Sequence, residues 1–162
     1  MSIANIKKLS MNPHFYSLLM QSFLSGYEKP CELKLPFMAI PIMLYSDSRE
    51  KLVTANKRSR IDTLFQSNQI VEESKISGKT RLSGYFDRYN SLKVYCKEAI
   101  IILFSEDKIV INNHKIVLTK KIDYKKFEGI IRDWVKCAYY LGIVFSKTTV
   151  DHLSFYLGVD VK

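Results

Sequence analysis

The sequence predicts a mainly α-helical, compact domain with one small β-hairpin, arranged like a winged helix. Three observations carry this. Two long stretches place apolar residues at helical spacing, one near each end of the chain. A third stretch, 36–45, is apolar all round. Between it and the second long helix lie two β-branched runs, Ile109–Ile111 and Ile116–Leu118, around an Asn-rich turn. Helices, a two-stranded hairpin and another helix is the order of a winged-helix unit, with the hairpin as the wing.

The first helix is expected over 13–25. Asn12 suits the N-cap, and Pro13 suits the first helical position, where its missing N–H costs nothing. Phe15, Leu18, Leu19, Met20 and Phe23 fall on one broad face, and Gly26 is read as a left-handed stop. Residues 28–34, with Pro30, read as a loop. Residues 36–45 read as a helix kinked at Pro41, or as two short pieces. Burying this segment would contribute about 10 kcal/mol of gross hydrophobic free energy, which makes it the expected centre of the core. Ser46, Asp47 and Ser48 offer capping oxygens to a polar turn or helix ending near Val53.

Thr54 is expected to cap a helix over 56–67, with Ile61, Leu64 and Phe65 facing inward. A connector over 68–74 leads to a helical pattern from Ile76 to Phe104, broken near Tyr89-Asn90-Ser91. The hairpin follows. A long helix is expected over 124–144, with Phe127, Ile130, Ile131, Trp134, Val135, Ala138 and Leu141 at helical spacing. Thr149 caps a last helix to Leu157, and Gly158 stops it. Residues 1–11 are assigned as an N-terminal arm and 12–162 as a single domain. At 162 residues and 47% hydrophobic composition the chain can build a core without disulfides.

The formal charge is +9, which favours acidic partners such as nucleic acid, a membrane surface or an acidic protein. No apolar run is long enough to span a bilayer and no signal peptide is visible, so a cytoplasmic protein without a membrane partner is expected. The cysteines, Cys31, Cys96 and Cys137, are odd in number and form no CxxC. Neither zinc nor a disulfide framework is indicated, and buried free thiols are expected. Apolar helical surroundings should raise the pKa of Cys96 and Cys137 and leave them inert.

A search for chemistry finds no complete set. Ser77-Gly78-Lys79-Thr80 looks like the tail of a phosphate-binding loop, but the glycine such a loop needs five residues earlier is Glu73. His14, His114 and His152 lie on three distant elements without metal-ligand spacing. Asp151-His152 lacks a nucleophile turn. Glu72-Glu73 and Glu106-Asp107 read as solvated pairs. No enzyme activity, cofactor or metal is expected of this chain.

Basic residues are more informative. Between positions 49 and 97, eleven Lys/Arg face five Asp/Glu, giving +6 of the total +9. Lys57, Arg58 and Arg60 fall at one expected helix start, and Lys79 and Arg81 at the next. Exposed N–H groups at helix starts add to the positive field, so a phosphate backbone could lie across them. The wing adds Lys115, Lys120 and Lys121. The plainer reading is a solvated face or one that meets an acidic protein. Tyr85, Tyr89 and Tyr95 suit stacking on nucleic acid, although such spacing more often marks core.

The ordered set Asn12-Pro13-x-Phe15-x-x-Leu18-Leu19-x-x-x-Phe23-x-x-Gly26-Tyr27, then Pro41, Arg49 and Thr54, then Ala138-Tyr139-Tyr140-Leu141-Gly142, Phe145-Ser146, Thr149 and Leu157-Gly158-Val159, resembles the middle component of bacterial three-component ABC-ATPase systems. These are defence operons of the Lamassu kind. In them a small protein sits between an SMC/Rad50-like ATPase and an effector. The resemblance spans about residues 12–159 and rests mainly on core and turn residues. It implies a non-catalytic adaptor for anti-phage or anti-plasmid defence, with ATP bound by the partner. The ATPase, an effector such as a nuclease, and double-stranded DNA reached through the complex are the implied partners. Two other classes remain open: a stand-alone winged-helix transcriptional regulator, and an antitoxin-like inhibitor of an effector enzyme.

Overall fold

A computed structural model describes residues 11–65, 82 and 84–159. The elements are α1 (Pro13–Tyr27), β1 (Cys31–Glu32), α2 (Lys34–Leu44), α3 (Ser46–Leu52), α4 (Ile61–Leu64), α5 (Tyr85–Ser105), β2 (Ile109–Asn112), β3 (Lys115–Leu118), a 3-10 turn (Tyr124–Lys126), α6 (Gly129–Ser146) and α7 (Val150–Leu157). The molecule is mainly helical with one small antiparallel sheet, as the sequence indicates, and this order is compatible with the winged-helix expectation. Residues 1–10 of the arm assigned to 1–11, the phosphate-loop-like stretch 77–80, Lys79 and Arg81 lie outside the described residues.

α1 is the central helix. From Phe15 to Tyr27 every residue is buried except the half-buried Leu18. The expected centre, α2, is a second core helix, continuous through Pro41, with eight buried residues. The Asn12 side chain accepts the His14 N–H at 2.9 Å, which is the expected cap. Gly26, however, is no stop. It lies within the helix, and the left-handed residue is Glu28, at φ 63°. Gly26 answers a different need, because a Cβ there would stand 1.9 Å from the Tyr139 carbonyl oxygen of α6. Gly142 mirrors it, since a Cβ would meet the Phe23 carbonyl oxygen at 2.0 Å. The two helices thus touch backbone to backbone. Ser22 reinforces the crossing by donating its hydroxyl to the Val135 carbonyl at 2.6 Å. Phe23 on Phe145 and Phe15 on Trp134 flank it edge to face, each pair at 5.4 Å.

The hairpin forms as expected. Asn113 and His114, at φ 50° and 63°, make its two-residue turn. A third strand was not expected. Cys31 pairs with Ile116 and Glu32 with Lys115, so the sheet order is β1-β3-β2. Two residues are too few to show alternation, so β1 read as loop.

Three helix expectations change. Over 56–60 the chain makes a polar turn instead of a helix. Asn56 Oδ1 accepts the Arg58 N–H at 2.8 Å and Ser59 Oγ the Asn56 N–H at 3.0 Å, which competes with helical bonding. Thr54 caps nothing and donates back to the Lys51 carbonyl. Among the described residues of that stretch only α4 is helical, and its Ile61 and Leu64, with the following Phe65, are buried. α5 runs unbroken through Tyr89-Asn90-Ser91, because Tyr85 and Tyr89 stack at 6.2 Å inside the core and Tyr85 donates to the Met38 carbonyl at 2.6 Å. Packing there overrides local preference. The long C-terminal helix starts later than expected. Asp123 caps the 3-10 turn through the Lys125 N–H, the chain is extended at Phe127 and Glu128, and α6 begins at Gly129. α7 matches its expectation, with Thr149 accepting the His152 N–H at 3.2 Å and Gly158 left-handed at φ 71°.

Among the described residues no helix is long and apolar enough to cross a membrane.

Candidate functional site

Four polar side chains are buried on α1, and each is satisfied. Ser17 and Ser25 bond back within the helix at 2.7 and 2.8 Å, and Ser22 spans to α6. Gln21 reaches out of the helix, its Nε2 donating to the Lys120 carbonyl at 2.9 Å. Ser25 Oγ accepts the Ile122 N–H at 3.1 Å. These two bonds pin the strap that leads from β3 to the 3-10 turn. Lys121 sits between them.

The strap borders a cleft of about 470 Å³, closed by Ser25 and Glu28 of the α1 end, Lys57 of the polar turn, and Tyr139 and Tyr140 of α6. Lys121, Lys125 and Lys126 enter from the strap. Four lysines and two carboxylates (Glu28, Asp123) line it, a balance of +2. Asp123 also serves as the cap of the 3-10 turn. Lys57, Lys121, Lys125 and Lys126 are exposed, and none has a carboxylate within 4 Å among the described residues.

Tyrosines form one wall. Tyr124 lies 5.5 Å from Tyr139 and 6.0 Å from Tyr140, centroid to centroid, and the Tyr124 and Tyr140 hydroxyls are 3.3 Å apart. That hydrogen bond, with burial, pushes the Tyr140 pKa up, so its hydroxyl stays neutral at physiological pH. On the far side Lys147 donates to the Lys57 and Ser59 carbonyls, which ties the basic turn to the end of α6. Burial and the nearby Arg60 lower the Lys147 pKa.

The structure therefore brings together Lys57 and Lys121, with Lys120 on the same strap and Arg58 and Arg60 on the same turn as Lys57. Lys115 stands apart, opposite Glu32 in the sheet. Lys125, Lys126 and the three tyrosines were missed. Their signal was present: Lys120-Lys121-Ile122-Asp123-Tyr124-Lys125-Lys126 holds four lysines in seven residues. Reading Tyr124 as the start of a long helix hid it. Tyr85 and Tyr89 are core, 3% and 6% exposed, and Tyr95 packs edge to face on Tyr16.

The other candidate groups remain apart. The three thiols are free and buried. Burial pushes Cys96 up to about 12 and Cys137 to about 11, as expected of inert thiols. His152 lies on the surface beside Asp62, at 3.2 Å, and the Tyr156 ring. Among the described residues no group of three His, Cys, Asp or Glu could hold a metal ion.

The cleft thus sets exposed ammonium groups beside aromatic faces. The sequence model of the ABC-three component (ABC-3C) system Middle Component 3 matches residues 2–161. The chain belongs to this family. It is a middle component of an ABC-three component system, and its partners are the other components of that system. No curated protein and no solved structure matches it. The match covers both the Asn12–Tyr27 motif and the closing Leu157-Gly158-Val159. In this middle component the motif residues take packing roles: Asn12 caps α1, Phe15 and Phe23 pack on α6, and Gly26 and Gly142 permit the crossing.

Proposed function

We propose that this middle component is a non-catalytic adaptor. It joins an SMC/Rad50-like ATPase to an effector, such as a nuclease, in a Lamassu-type anti-phage or anti-plasmid complex, and its basic cleft meets the DNA backbone that the complex holds. The family match over residues 2–161 carries the adaptor role. The convergence of Lys57, Lys121, Lys125 and Lys126 from two distant segments supports the DNA contact. Exposed ammonium groups on long stems follow a phosphate backbone by charge alone, and the tyrosine wall adds sequence-tolerant contact area. The reading keeps residues 12–162 as one domain with 1–11 as an arm and places the chain in the cytoplasm. ATP then belongs to the partner.

Co-expression with the genes beside it tests the adaptor role. A tagged chain should elute with a large ATPase, with or without a third protein, at a defined mass. A lone monomer or homodimer that shifts duplex DNA by itself would favour a stand-alone regulator. A chain that elutes with an effector enzyme only would favour an antitoxin-like inhibitor.

A further inference from the structure

A second concavity, of about 780 Å³, lies between α3 and the first half of α6. Phe15, Leu44, Val53, Ile130 and Trp134 make its lining mainly apolar. Val53 and Ile130 are 62% and 45% exposed, so their side chains wait on water at its mouth. Arg49 also lines it. The guanidinium lies 3.9 Å from the centroid of the Trp134 ring and donates one N–H to the Met43 carbonyl at 3.1 Å. It is half-buried, and no carboxylate stands within 4 Å of it among the described residues.

A cation drawn out of water onto an aromatic face loses hydration, which the ring and one carbonyl replace only in part. Most of its five donors remain for another acceptor. A carboxylate is the group whose geometry matches that fork. Glu50 and Asp133 are exposed members of the lining, and with Arg49 and Lys136 they bring it to a net charge of zero. The groove is thus unlike the basic cleft. It calls for a single carboxylate among apolar side chains, and an acidic run would meet repulsion from Asp133. Both flanking elements are helices, whose backbone groups bond internally, so recognition falls to side chains rather than to an added strand.

We propose that this groove docks an amphipathic helix of a partner protein, its apolar face on Trp134, Val53 and Ile130 and one carboxylate on Arg49. The proposal rests on the adaptor reading only in requiring a protein partner.

Trp134 is the single tryptophan of the chain, so its emission reports the groove directly. The probe is a 16-residue helical peptide with leucines at three-and-four spacing and one central Glu, compared with its Gln and Lys analogues. The Glu peptide should shift Trp134 emission saturably. The Gln analogue should bind about tenfold more weakly, and the Lys analogue should leave the emission unchanged. Arg49→Gln should remove the difference between the Glu and Gln peptides. Val53→Glu, a surface change that leaves the melting temperature alone, should abolish binding of the Glu and Gln peptides. If no peptide alters the emission, or if Glu and Gln peptides bind alike, the proposal is overturned. A chain that shows this ranking yet elutes alone on co-expression would keep the groove and remove the adaptor. A chain that enters the complex without the ranking would do the reverse.

Discussion

Where α6 meets α1 the two backbones are in contact. A single methyl added at Gly26 or Gly142 would stand 1.9 or 2.0 Å from a carbonyl oxygen across the crossing, far inside van der Waals contact. Beside that crossing, Tyr139 and Tyr140 of the same helix line an open cleft with four exposed lysines. The crossing tolerates almost nothing because every neighbour is fixed. The cleft tolerates much because its lysines end in water. The motif holds both the crossing glycines and the cleft's Tyr139 and Tyr140, but not the cleft's lysines. Gly26 and Gly142 belong to the motif, while Lys121, Lys125 and Lys126 do not.

The largest effect should come from the crossing. Gly142→Val or Gly26→Val should cost more than about 4 kcal/mol, because the added atoms meet backbone that cannot move aside. Thermal denaturation should find little or no cooperative unfolding. An unchanged melting temperature would break the contrast at its strongest point.

A smaller loss is expected where crossing and cleft are joined. Gln21→Leu leaves the Lys120 carbonyl unpaired and releases one end of the strap. It should cost about 1–3 kcal/mol and weaken anion binding at the cleft as well. Stability lost with binding intact would mean that the strap positions itself without α1.

Thr149→Ala removes the cap of α7 and should cost about 1 kcal/mol without touching either region, which calibrates the other two.

The charge reversals Lys57→Glu, Lys121→Glu and Lys125→Glu should shift stability by less than about 0.5 kcal/mol, since the three side chains are exposed. Their effect belongs to binding.

A pH series separates the core from the surface in another way. Burial raises Cys96 from its ordinary 9.0 to about 12 and Cys137 to about 11. A raised folded pKa means that the folded chain holds these protons more tightly than the unfolded one. Their contribution is complete below about pH 9 and is lost as pH rises through 11 and 12. Denaturant midpoints should fall above pH 9 and be flat in this respect below it. Thiol reagents at pH 8 should label these two cysteines only after unfolding.

Much of the fold was legible because it is written in local terms. Asn12, Thr149 and Gly158 act within a few residues of themselves, and the Asn113-His114 turn needs only its own left-handed backbone. Gly26 shows where such reading stops. Its place near a helix end suggested a stop, but its reason is the Tyr139 carbonyl more than a hundred residues away. The helix expected over 56–67 failed for a local cause, the competition of Asn56 and Ser59 side chains for backbone groups. The cleft was half legible. Lys57 and Lys121 were singled out by charge, but nothing in their positions places them together. That follows from Gln21 and Ser25 holding the strap and from Lys147 holding the turn. Arg49 is a motif residue and Trp134 lies on the apolar face of its helix, but nothing in sequence pairs them, and only the approach of α3 to α6 sets one on the other.

The central claim is that the cleft on this middle component meets a phosphate backbone. Its most direct test is the salt dependence of duplex-DNA affinity for the assembled complex, with the natural chain and with Lys57→Gln, Lys121→Gln and Lys125→Gln combined. The account predicts that the triple variant assembles normally, binds DNA at least tenfold more weakly at low salt, and loses about two to three from the slope of log affinity against log salt. Equal affinity and equal slope for the two complexes would contradict it.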